Sequence, residues 1–130
     1  MVRSTFSHTH AGMLDALAWI EGVLSGSDSD RVDRALLVAG EVLANAVEHR
    51  GENDALEMHI SIRTTDRQLD MSIVEPSREV TLERLEAATL PEEALATSGR
   101  GLFLIRTLAD EIATVGDSGT TYSFFEREMP

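Results

Sequence analysis

The apolar residues of this 130-residue chain change their period once, close to Gly51, and that change limits the folds open to it. Before it, Val32, Leu36, Ala39, Leu43, Ala46 and Val47 step by threes and fours, which predicts an amphipathic helix over 30–49 with Gly51 as its stop. After it, Leu56, Met58, Ile60 and Ile62 alternate with Glu57, His59, Ser61 and Arg63, the pattern of a strand with one buried and one wet face. Leu69, Met71 and Ile73 repeat the alternation against Gln68, Asp70 and Ser72. The short Thr65-Asp66 turn makes these two strands an antiparallel hairpin, and Pro76 ends it.

The flanking segments extend the pattern. Leu14, Leu17, Ala18 and Leu24 predict a helix over 11–24, and Ser25-Gly26-Ser27-Asp28-Ser29 breaks it and offers N-caps for the next. Val80, Leu82, Leu85 and Ala88 are weakly helical in spacing, and 89–99 reads as a loop. A third helix is expected over about 101–110, with Leu102, Ile105, Leu108 and Ala109 on one side. Ile112 to Val115 and Thr120 to Phe125 are strand-like around the turn Gly116-Asp117-Ser118-Gly119. Helices in blocks and strands joined by short turns indicate an α+β fold, one domain over 1–130. Its helices should pack on one face of a mixed or antiparallel sheet, with residues 57, 59, 61 and 63 on an open polar face.

Charge narrows the function. The chain has 23 acidic and 11 basic residues, a net charge of −12, and every basic residue is arginine. Such a surface repels phosphate backbones and anionic membranes, so neither direct nucleic-acid nor membrane binding is expected. Cysteine is absent, which excludes disulfides and thiolate chemistry. No apolar run suggests a leader or a membrane span, and a cytoplasmic domain is the expectation.

Two polar clusters interrupt the apolar patterns. Glu41, Asn45 and His49 recur every four residues and make one slanted line on the second helix, with Glu48 beside it. A carboxylate and an amide one turn apart can share a water or a hard cation, although the same spacing suits a solvated helix face. Asn45 is the informative member, because asparagine disfavours helix interiors and here stands between Ala44 and Ala46. Ser98-Gly99-Arg100-Gly101 then leads into Leu102-Phe103-Leu104-Ile105. Glycines before a helix let backbone N–H groups approach an anion, and Arg100 adds a planar cation, although a loop that needs left-handed dihedrals would look the same. His8, His10, His49 and His59 read as solvated histidines rather than metal ligands.

Taken together, the clusters resemble the GHKL ATPase superfamily, and within it the anti-sigma-factor serine/threonine kinases. Glu41-Val42-Leu43-Ala44-Asn45-Ala46-Val47-Glu48-His49 looks like the family's N-box, Ser98 to Ile105 like its second glycine box, and Asp117-Ser118-Gly119-Thr120-Thr121 like the turn before its last strand. The resemblance implies a two-layer α/β sandwich with a mixed, mostly antiparallel sheet, and ATP and Mg2+ as ligands. It implies Glu41 as the general base for a protein serine, and Asn45 as the magnesium ligand with His49 in the same box. Gly99, Arg100, Gly101 and Leu102 would lie in the phosphate loop, with Thr120 or Thr121 near the adenine. The implied partners are a sigma factor and its anti-sigma antagonist, with a homodimer possible. The sequence departs from the family at Val74-Glu75-Pro76-Ser77-Arg78-Glu79, where a glycine box is expected and no glycine occurs. Glu75 stands where the family's adenine-binding aspartate would be. That departure supports an alternative, a regulatory protein-binding module with weak or no ATP binding.

Overall fold

A computed structural model describes residues 1–50, 52–76, 97–114 and 119–126. In chain order these form strand β1 (Val2–His8), helices α1 (His10–Val23) and α2 (Ser29–Arg50), strands β2 (Asn53–Thr64) and β3 (Gln68–Val74), helix α3 (Thr97–Leu108), and strands β4 (Glu111–Thr114) and β5 (Thr120–Phe125). The five strands make one sheet in the order β1-β2-β3-β5-β4, and every pairing in it is antiparallel. The expected α+β architecture is present, with the helices on one face.

The period-2 segments fold as their spacing predicts. Met58, Ile60 and Ile62 of β2, Leu69, Met71 and Ile73 of β3, and Tyr122 and Phe124 of β5 point into the core. Ala16 and Ile20 of α1 and Val38, Ala39, Val42, Leu43 and Ala46 of α2 meet them. The opposite face is polar and bonds to itself. The Ser72 and Thr121 hydroxyls lie 2.7 Å apart, and Ser123 donates to Asp70 Oδ1 at 2.7 Å.

Both helix starts in the first half are capped by side chains. Thr9 Oγ1 accepts from the Gly12 N–H at 3.0 Å at α1, and Asp28 Oδ2 accepts from the Arg31 N–H at 3.3 Å at α2. Asp28 belongs to the breaker cluster between the two predicted helices. Two differences from expectation stand out. Strand β1 carries little apolar signal, with only Phe6 and the exposed Val2 as large apolar residues on its inward side, and it forms because it pairs along β2 from Val2↔Ile62 to Ser7↔Glu57. Helix α3 begins at Thr97, four residues earlier than the apolar period suggests, so Gly99, Arg100 and Gly101 lie within helix rather than in a loop ahead of it. The weakly helical stretch 79–88, most of the expected loop and Gly51 lie outside the described residues. No described helix is long and apolar enough to cross a membrane.

One arginine ties the layers together. Arg34 of α2 is 4% exposed. It donates to Asp30 Oδ2 (2.9 Å), Asp110 Oδ2 (2.8 Å), the Leu108 carbonyl (3.2 Å) and the Phe125 carbonyl (2.7 Å), and its guanidinium lies 5.7 Å from the Phe124 ring centroid. The carboxyl end of α3 is thereby fixed beside the first turns of α2. Only residues 29–33 of α2 precede Arg34, and α3 packs along α2. Helix α3, roughly 18 Å long at the α-helical rise, therefore runs back toward the carboxyl half of α2.

Candidate functional site

That arrangement sets the amino end of α3 toward the part of α2 that carries Glu41 and Asn45. The four-residue spacing puts both on one side of the helix. Glu41 is half-buried and Asn45 is 8% exposed; among the described residues its amide has no hydrogen-bond partner, and it is not one of the side chains whose polar atoms are sealed from water without one. An asparagine that interrupts an apolar run and has no protein partner is an open oxygen donor, the chemistry a hard cation takes. His49 lies in the same helix one turn further on. Gly99, Arg100, Gly101 and Leu102 occupy the first half of α3, whose amino end presents free backbone N–H groups and the positive end of the helix dipole.

A second cluster forms where β3 ends and β5 begins. Ile73 pairs with Thr120 and Met71 with Tyr122, so the strand alternation carries Glu75, Thr120 and Tyr122 to the same, helix-covered side. Thr120 is buried and Glu75 half-buried. Tyr122 is fully buried, and its hydroxyl has no hydrogen-bond partner among the described residues. Burial is the main cause that pushes the Tyr122 phenol well above its usual value, and the nearby Glu75 carboxylate pushes the same way. The Thr120 hydroxyl opposes them, without reaching hydrogen-bond geometry. Thr121 goes to the other face, bonded to Ser72. Of the two threonines offered by the sequence, only Thr120 therefore stands with Glu75.

Gly119 explains why this corner is tight. Its φ is +87°, and a Cβ there would collide with the Ile73 carbonyl oxygen. Only glycine lets the chain enter β5 this close to β3.

The arrangement matches a known domain. A family profile described as histidine kinase-like ATPase domain aligns with residues 6–124. The chain belongs to this family. Its N-box resemblance thus sits in a fold of the matching kind. No similar sequence was found among curated proteins. Among the described residues no group of three His, Asp or Glu side chains is placed to hold a metal ion. That is compatible with magnesium, which usually takes one or two protein ligands and completes its shell with water and phosphate oxygens. The residues present therefore fit Mg-ATP at the α2 end of the site through Asn45.

Sequence reasoning missed three residues here. Arg34 had a signal, since it lies on the apolar stripe of α2 four residues before Val38. Tyr122 had one too, as the phenol alternating with Thr120 and Phe124. His8 had none, because β1 shows no period; expected in solvent, it is fully buried, with Nε2 2.8 Å from the Ala46 carbonyl oxygen.

Proposed function

We propose that this chain is an anti-sigma-type protein serine/threonine kinase that binds Mg-ATP. It would transfer the γ-phosphoryl group to a serine or threonine of a small antagonist protein, and hold a sigma factor as its alternative partner. The observation that supports it most is Asn45, 8% exposed and without a hydrogen-bond partner among the described residues, on the same side of α2 as half-buried Glu41.

Each residue has a physical task in that reading. Asn45 would hold a magnesium ion, which would supply positive charge against the phosphates. Glu41 accepts the proton of the substrate hydroxyl as its oxygen attacks phosphorus, and ADP leaves. The backbone N–H groups at the start of α3 receive phosphate oxygens. Arg100 is the one basic residue between Ser98 and Ile105 in a chain of net charge −12 without lysine, so the local cation carries unusual weight. Glu75 and Thr120, on the same side of the β3–β5 corner, would contact the adenine. The acidic surface suits a partner with a basic patch.

Calorimetric titration with ATP, with and without magnesium, tests the binding half. Saturable, magnesium-dependent binding that Arg100→Ala weakens by about tenfold or more supports it. Radiolabelled ATP incubated with a candidate antagonist tests transfer, and Glu41→Gln should keep binding while losing transfer. The lack of any glycine from Val74 to Glu79 favours a second reading, a protein-binding module without nucleotide. It predicts no heat of binding at millimolar ATP.

A further inference from the structure

We propose that His8 is a positioning residue for Asn45, an inference that rests on the Mg-ATP reading above. His8 is the last residue of β1, just past a shift of register in its pairing with β2, where it meets Asn53 instead of continuing the Ser7↔Glu57 series. Such irregularities re-aim side chains next to functional sites. The imidazole points inward, is fully buried, and places Nε2 2.8 Å from the carbonyl oxygen of Ala46, the residue after Asn45. A carbonyl can only accept, so Nε2 carries the proton and Nδ1 is the bare nitrogen. Nδ1 is buried and has no partner among the described residues. The tautomer is thus set by a single bond, which crosses 38 residues of sequence to the turn that presents the magnesium ligand.

The backbone on either side of His8 is held firmly. Thr9 caps α1 by accepting from Gly12 N–H, and the Ser7 and Thr9 hydroxyls lie 2.8 Å apart. The His10 N–H donates to Glu52 Oε1 at 2.7 Å, just past the end of α2. Gly12 approaches the Ser7 carbonyl so closely that a Cβ would collide with it. The imidazole therefore projects from a fixed base, and its bond seats the Asn45 turn against β1 rather than the reverse. Groups that orient a metal ligand without touching the metal commonly carry a large share of the affinity.

The test uses the full chain with His8→Leu, which removes the donor at similar volume, and His8→Gln, whose amide N–H can replace Nε2. Two readouts are taken, calorimetry with ATP plus and minus magnesium, and backbone hydrogen exchange over 42–50. We expect His8→Leu to weaken ATP binding roughly tenfold in magnesium, with little change without it, and His8→Gln to stay within about threefold of wild type. Exchange at the end of α2 should speed up in His8→Leu and return toward wild type in His8→Gln. Equal affinity in wild type and His8→Leu overturns the proposal, and so does an equal loss in both variants, which would mark a packing effect. If wild type binds no ATP, the Mg-ATP reading fails by itself. The exchange arm then still decides the seating: loss in leucine restored by glutamine upholds it, and uniform protection in all three chains overturns it.

Discussion

Arg34 and Asn45, in the amino and carboxyl halves of α2, are bonded in opposite ways. At the amino end, Arg34 has four hydrogen bonds, to Asp30, Asp110 and two carbonyls, and Asp110 also accepts from the Phe125 N–H at 2.6 Å. At the carboxyl end, Asn45 has no partner among the described residues, and His8 beside it has a nitrogen left over. The Arg34 guanidinium is closed off from water and bonded within the chain, whereas the Asn45 amide is neither bonded to a described residue nor sealed from water. Openness alone does not mark function, because Arg31 Nε at the amino end is also buried without a hydrogen-bond partner; Asn45 differs in being an oxygen donor one turn from Glu41.

The sharpest way to break the comparison is to remove Arg34. Arg34→Met leaves Asp110 and two carbonyls short of a donor at the junction of α2, α3 and β5. We expect a loss of about 3 kcal/mol in unfolding free energy, measured by urea titration. A loss below about 1 kcal/mol would mean that the network is as dispensable as a surface ion pair, and the contrast would fail.

Gly119 comes next, because it shapes the site end through backbone geometry alone. Gly119→Ala places a side chain at positive φ and against the Ile73 carbonyl. We expect it to cost about 2 kcal/mol and to weaken ATP binding through displaced Thr120. Unchanged stability would show that the β3–β5 corner relaxes freely.

Asn45 should behave as the inverse of Arg34. Asn45→Leu removes an unpartnered amide from an apolar run and adds apolar surface. Thermal unfolding should show a stability change within about 1 kcal/mol, of either sign, while magnesium-dependent ATP binding disappears. A large destabilisation would place Asn45 with Arg34, as a structural group.

Much of this contrast was legible beforehand, for reasons that differ by residue. Asn45 could be singled out because a poor helix former inside an apolar run conflicts with its own surroundings. The β2–β3 hairpin and β5 could be read because one face of each is buried, which writes a period of two into the sequence. Strand β1 could not, since its inward side holds Val2, Ser4, Phe6 and His8 and its fold comes from pairing with residues 45 to 60 positions away. The start of α3 was placed late for a related reason. Thr97 to Gly101 offers no apolar residue to mark a helix, and glycine argues against one. The choice between Thr120 and Thr121 needed the register with β3, because adjacent residues in a strand take opposite faces.

Tyr122 gives the smallest effect and the cleanest one. It is the chain's single tyrosine, and lysine and cysteine are absent, so no other side chain titrates between about pH 9 and about pH 12. Burial holds its phenol protonated in the folded state well past the usual value. The unfolded chain loses that proton near pH 10 while the native chain keeps it. The unfolded state then binds fewer protons, so stability is full below about pH 10 and falls by about 1.4 kcal/mol per pH unit above it. Tyrosinate absorbance should stay silent at pH 10 until the protein unfolds. Tyr122→Phe should flatten the alkaline loss and change stability at neutral pH by no more than about 1 kcal/mol, because it deletes a hydroxyl that has no partner. A tyrosinate signal from folded protein near pH 10, or the same alkaline slope in the phenylalanine variant, would show that the hydroxyl reaches water. The β3–β5 corner would then be open rather than dry. That outcome would also move Glu75 and Thr120 from a closed wall of the site to an accessible one, and the comparison between the two ends of α2 would have to be redrawn around solvent access.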